Sequence, residues 1–219
     1  MKHLKMEQED QLYSDVPLEE LPWNIETPPK ELVALVESRS ISPGKTIDLG
    51  CGAGNYALYL ASKGFDVTGV DISPTVIQIA KDAAQKKGVA CTFLVADVLG
   101  DLHGIEETFD FAYDWGVLHQ FFPEQRNHYV ENVYRILNPG GTYLSVCFSE
   151  KDPQFGGSGK YRDIRLAQSG TEGTVLYFSS EDELRALFDS RFTIIELKTI
   201  EVSSKFGSHL LNYAFMERK

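Results

Sequence analysis

From Thr46 to Leu60 the chain reads TIDLGCGAGNYALYL. An apolar strand pattern runs through Asp48 into glycines at 50, 52 and 54, and a helical pattern opens at about Asn55. Glycine lets such a loop turn tightly and brings backbone N–H groups against a ligand. The helix start behind it offers unpaired N–H groups and partial positive charge. The alternation then continues along the chain. Short apolar runs at Lys45–Leu49, Phe65–Val70, Cys91–Val95, Phe109–Tyr113 and Thr142–Phe148 are separated by segments of helical period. These carry Ala57, Leu60 and Ala61, then Val76, Ile79, Ala80, Ala83 and Ala84, then Val130, Val133, Tyr134 and Leu137. Strand and helix in turn predict a parallel sheet covered on both faces.

The end of the chain breaks this rhythm. Ser180-x-x-Glu183 is a capping box ahead of Leu184, Leu187 and Phe188. Two strands follow, Phe192–Val202 and His209–Met216, joined by SSKFGS with no helix between them, and so short a connection makes them antiparallel. The predicted fold is α/β and doubly wound, a seven-stranded, mostly parallel sheet with one antiparallel strand from a C-terminal hairpin. One domain over residues 32–219 holds it, with an inserted loop at 149–178. Residues 1–31 are read as an N-terminal lid or extension: a first dozen frayed residues, the ordered loop LPWNIETPP, and a helix start at Thr27-Pro28 ahead of Leu32, Leu35 and Val36.

Composition narrows the partners. Across 219 residues, 42% hydrophobic and 24% charged residues describe a globular chain with a sizeable core. A net charge of −11 repels phosphate backbones and anionic headgroups, which discourages nucleic acid and membrane as partners and leaves room for a small cationic ligand. Three scattered cysteines without a CxxC pair read as thiols in a reducing compartment, and no metal-ligand set stands out. No signal-like or bilayer-length apolar stretch is present in the sequence, so a cytoplasmic location is expected. The expected state is a monomer or homodimer.

The glycine loop differs from a dinucleotide fingerprint. Asn55 stands where a third small residue is needed, and Asp48 places negative charge where a pyrophosphate would sit. An acid there suits a cationic group. Asp48-Leu-Gly-Cys-Gly-Ala-Gly54 resembles the first motif of the Rossmann-like (class I) S-adenosylmethionine-dependent methyltransferases. Val70-Asp71-Ile72-Ser73 resembles the second, Ala96-Asp97-Val98 the third, Phe109-Asp110 through His119 the fourth, and Leu137 through Leu144 the turn into the fifth strand. The resemblance implies S-adenosyl-L-methionine as cofactor, S-adenosyl-L-homocysteine as product and a small-molecule methyl acceptor with an S, N or O nucleophile. It also implies roles. Asp48 orients the methionine ammonium, the backbone at Gly50 and Gly52 contacts the cofactor, Asp71 accepts from the ribose hydroxyls with Ile72 beside it at the cofactor, Asp97 and Val98 meet the adenine, and Asp114 the methionine end. A module that holds the cofactor without catalysis is the alternative reading, and an NAD-dependent dehydrogenase is a more distant one.

Methyl transfer from a sulfonium is an in-line displacement in which the cofactor supplies the activated group. A base is needed only for an acceptor that arrives protonated. In YDWGVLHQFFPEQRNHY, residues 113–129, His119 is the candidate general base, although a histidine in an aromatic segment can equally be packed. Trp115 can wall the adenine or the acceptor. Tyr113-Asp-Trp-Gly116 replaces the Asn/Asp-Pro-Pro-aromatic tetrad of the amino-methylating nucleic-acid branch. Pro123, Arg126 and Tyr129, with Pro22-Trp23-Asn24, loosely resemble the thiopurine and thiol methyltransferase branch. Tyr13 and Trp23 are lid candidates, and Phe155, Tyr161, Arg162 and Arg165 are acceptor contacts on the inserted loop. His3, His128 and His209 are read as terminal, solvent-facing or turn residues.

Overall fold

The computed structural model describes residues 2–100, 102, 104–153, 159–164, 174–204 and 207–219. Helix α1 (Lys2–Asp15) leads to α2 (Lys30–Glu37), β1 (Lys45–Leu49), α3 (Asn55–Ser62), β2 (Asp66–Asp71), α4 (Pro74–Lys87) and β3 (Thr92–Val95). Then come β4 (Phe109–Trp115), α5 (Pro123–Ile136), β5 (Leu137–Phe148), β6 (Tyr161–Ile164), β7 (Thr174–Tyr177), α6 (Glu181–Phe188), β8 (Phe192–Ser204) and β9 (Gly207–Arg218). Seven strands form one sheet in the order β3-β2-β1-β4-β5-β9-β8. Strands β1 to β5 pair in parallel, and β9 runs antiparallel between β5 and β8. This is the doubly wound, mostly parallel sheet with a closing hairpin that the sequence predicts.

Each face of the sheet buries its own core. Ile47, Leu49, Ala112, Tyr129, Val130, Val133 and Tyr143 pack on the side of α5 and α6. Leu32, Leu35, Leu58, Leu60, Ile77, Phe111, Tyr113 and Phe215 pack on the side of α2, α3 and α4. Successive β4 residues alternate between the two, as strand geometry requires. That alternation decides which side chains reach a ligand at the strand ends.

Local chemistry sets the element ends. Ser73 caps α4 by accepting from Val76 N, Pro74 stands at the first turn, and Gly88 closes the helix in the left-handed region. Ser180 and Glu183 form the expected capping box on α6, with both bonds made.

Three expectations are corrected. Residues 2–12 are helical rather than frayed, and the segment is held to the start of α4: Asp10 accepts from Ser73 Oγ at 2.6 Å and from Thr75 N at 2.8 Å. The helix after the proline pair starts at Lys30, with Pro29 rather than Thr27 at its N-cap. The inserted segment is more than a loop, since β6 and β7 pair antiparallel within it. Phe155 and Arg165 lie outside the described residues. Among the described residues, no helix is long and apolar enough to cross a membrane.

Candidate functional site

The carboxyl ends of β1, β2 and β3 bring three of the predicted acids to one edge of the sheet. Asp48 is 4% exposed and accepts from the Tyr113 hydroxyl at 2.6 Å. Its neighbour across the parallel pair is Tyr113 itself, so the two side chains share a face. Asp71 closes β2, where its two oxygens accept from Gly52 N at 3.0 Å and Ser73 N at 3.1 Å. Ile72 is half-buried in the turn that follows. Asp97 shapes the turn after β3, accepting from Leu99 N at 2.9 Å. Val98 is buried, and its carbonyl accepts from Asn132 Nδ2 on α5 at 3.1 Å.

Between them lies the glycine loop. Gly50 N and Cys51 N both donate to Val70 O, which ties the loop to the end of β2. Gly50 has φ +75°, and a Cβ there would come within 2.3 Å of Val117 Cγ2. A side chain is excluded twice over, by backbone conformation and by space. Gly52 has φ +51°, and the atom nearest to its missing Cβ is the Tyr13 hydroxyl at 3.6 Å. Trp23 Nε1 donates to that hydroxyl at 3.2 Å, and Asn55 Nδ2 at the start of α3 donates to Asn24 Oδ1 at 2.9 Å. The N-terminal segment therefore lies across the loop.

Buried acids dominate the electrostatics of this edge. Burial pushes the Asp48 carboxyl up to about 7, against the Tyr113 hydrogen bond, and the charges of Asp71 and Asp114 add to the rise. Burial also raises Asp71, although three backbone N–H groups favour its charged form. Crowded carboxylates with backbone N–H groups beside them match a ligand carrying an ammonium, a sulfonium and a ribose. This chemistry fits S-adenosylmethionine.

Asp114 is not brought to this edge. It points to the other face of β4, is fully buried, and accepts from Tyr143 Oη at 2.5 Å and Leu118 N at 3.3 Å. Strand alternation from Tyr113 explains the correction. Asp114 anchors the 3-10 turn Leu118–Gln120 through Leu118 N.

That turn carries His119. The ring is 7% exposed and lies 4.6 Å from the Phe148 ring. Burial, with the charges of Arg126 and His209, lowers its basicity to about 3. Nδ1 accepts from Phe148 N at 3.4 Å, which leaves the ring hydrogen on Nε2. A neutral imidazole of this kind donates a hydrogen bond but does not draw a proton from an acceptor near neutral pH, so the general-base role is corrected. Arg126 holds the turn from below. Its guanidinium is buried and donates to Phe121 O, Leu118 O, Tyr177 O and Ser179 Oγ, lying 4.3 Å over the Tyr177 ring.

Aromatic rings surround the turn. Trp115 is half-buried and meets Tyr56 edge-on at 6.0 Å. Tyr161 is 58% exposed and packs on Phe122 and Tyr177 at 5.3 and 5.0 Å. Sequence reasoning missed Tyr113 as the partner of Asp48, Phe148 beside His119, and the contact of Asp152 with His209. The signal for Tyr113 was available in the register of two parallel strands. Nothing local marks Asp152, whose role depends on contacts far along the chain.

Known proteins agree with this geometry. Residues 47–141 match the family model described as a methyltransferase domain. A 2-heptyl-1-hydroxyquinolin-4(1H)-one methyltransferase from Mycobacteroides abscessus is 35% identical over 130 residues, 59% of this chain and 56% of that protein. Thiocyanate methyltransferase 1 of Brassica oleracea is 28% identical over 60% of this chain and 58% of its own. The chain spans about half the length of the curated relatives it matches. One solved structure, from work on the conversion of a disulfide bond into a thioacetal group during echinomycin biosynthesis, superposes with a TM-score of 0.80 at 26% identity, over 98% of this chain and 92% of its own. With the glycine loop, the acids at the ends of β1 to β3 and the closing hairpin in place, the chain carries a methyltransferase-domain match over residues 47–141 and resembles the Rossmann-like S-adenosylmethionine-dependent methyltransferases in sequence and fold.

Proposed function

We propose that this protein transfers a methyl group from S-adenosylmethionine to a small aromatic acceptor bound over the ends of β4 and β5. The observation that carries the reading is the placement of Asp48 and Asp71 around a glycine loop that no side chain can enter. Bound there, the cofactor supplies an activated methyl group. The chain's own residues hold the donor, align the acceptor and exclude water, and alignment alone can lower the barrier by up to ~7–11 kcal/mol.

Residues 1–31 act as a lid, with Tyr13 and Trp23 over the loop. Trp115 and Phe148 supply flat apolar surface for an acceptor ring, and Tyr161 extends that wall at the mouth. His119, with its hydrogen on Nε2, donates to an acceptor oxygen or nitrogen. The quinolone named for the Mycobacteroides relative is an acceptor of this aromatic kind. A product screen with methyl-labelled cofactor against aromatic hydroxyls, ring nitrogens, thiols and carboxylates tests the reading. Label should pass to an aromatic heterocycle. Transfer confined to aliphatic acids or to nucleic acid would contradict the assignment.

A further inference from the structure

Strand β9 runs opposite to β5, so it starts at the same sheet edge at which β5 ends. His209 is near that start, paired with Val202 of β8. Its ring meets the Phe148 ring edge-on at 5.3 Å, while His119 lies against the same phenyl group. His209 Nδ1 is 3.4 Å from Asp152 Oδ2, and the Asp152 side chain has no solvent exposure. Its carboxylate is fixed in place, accepting from Leu210 N at 2.5 Å. Arg162 secures the turn that carries it. The guanidinium donates to Asp152 O at 2.6 Å and Glu150 O at 2.8 Å, and lies 4.1 Å over the Phe178 ring.

With Nδ1 turned toward this buried carboxylate, the ring carries its hydrogen on Nδ1 and leaves the lone pair on Nε2. Among the described residues, Asp152 from the turn after β5 and His119 across Phe148 face His209, Arg162 from β6 holds the Asp152 turn, and β8 presents the apolar Val202. His119 is held neutral by burial and cannot serve as the base, so this edge needs another if its acceptor arrives protonated.

We propose that Asp152 and His209 are the acid–base pair of the acceptor site, and that the acceptor is a heteroaromatic hydroxyl or ring N–H rather than a thiolate already ionised. The proposal rests on the methyltransferase reading and names its substrate class. The acceptor proton passes to His209 Nε2 as the new O–C or N–C bond forms. The S–C bond of the sulfonium donor breaks, its electron pair stays on sulfur, and the imidazolium then returns the proton to solvent.

The test compares wild type, His209→Ala and Asp152→Asn on a panel of hydroxyquinolines, hydroxypyridines and N–H azoles, beside thiophenol, which ionises unaided at pH 8. Calorimetry with S-adenosylhomocysteine on the same preparations reports the cofactor site, and its failure in the wild type would sink the methyltransferase reading itself. With cofactor affinity unchanged, His209→Ala should lose 100-fold or more in kcat on the hydroxyl or N–H acceptor. It should lose little on thiophenol, and added imidazole should restore part of the rate. Asp152→Asn should lose activity on the same hydroxyl or N–H acceptor with cofactor affinity unchanged, and full retention of that activity would remove Asp152 from the pair. An equal loss on both acceptor classes without imidazole rescue would make the pair structural and overturn the proposal. Methylation of thiophenol alone, or of no panel member, would do the same.

Discussion

Asp48 is the residue on which the electrostatics of the site turn. A carboxyl pushed up to about 7 binds a proton that the unfolded chain, with its ordinary value of 3.8, has already released above pH 4. The folded state therefore holds more protons between those values, and the contribution of Asp48 to stability is lost as pH rises through about 7. A cation beside it reverses the preference. Cofactor affinity should rise from pH 5.5 to pH 8.5, and Asp48→Asn should flatten that dependence; a parallel pH profile in the variant would remove Asp48 from the cation site. At Asp71 the expectation is simpler. Asp71→Ala should weaken cofactor binding tenfold or more, since charge-assisted bonds are worth ~1.5–3 kcal/mol, and an unchanged dissociation constant would show that the ribose sits elsewhere. The acids at the ends of β1 to β3 were legible because each ends a strand next to a turn. Asp114 was not, because its neighbour Tyr113 takes the cofactor-side face and strand alternation sends the next side chain into the opposite core.

At the scale of elements, apolar period and caps were the most readable signals. The five parallel strands, the Ser180 capping box and the final hairpin follow from patterns within a few residues of each other. Ser180→Ala should cost about 1 kcal/mol in chemical denaturation with activity retained. Helix α1 was illegible for a physical reason: it is polar along its length, and its described contacts include a carboxylate bound to the start of another helix. Asp10→Ala removes the acceptor for Thr75 N and Ser73 Oγ. It should speed cofactor release several-fold, measured by stopped-flow fluorescence of Trp23, while leaving the fold intact by circular dichroism. Unaltered release would detach the N-terminal segment from the site. The pairing of β6 with β7 was hidden by the glycine-rich stretch ahead of it, which reads as loop by composition.

Taken as a molecule, the chain divides its labour along the sheet order. The carboxyl ends of β3, β2 and β1 carry the acids proposed to face a cofactor, and Trp115 and Phe148 at the ends of β4 and β5, with His209 near the start of β9, form the half proposed to face an acceptor. The net charge of −11 acquires a local meaning at the first half of that edge, where Asp48 and Asp71 are both buried. Parallel pairing made the first half predictable, since each βα turn repeats one geometry. The second half depends on long-range contacts between the insertion and the hairpin, which no local pattern encodes. Calorimetric titration of the protein with S-adenosylmethionine, S-adenosylhomocysteine and NAD tests the central claim most directly. The two sulfur compounds should bind at a single site and compete with each other, with no heat from NAD. Saturable NAD binding with no response to either sulfur compound would contradict it.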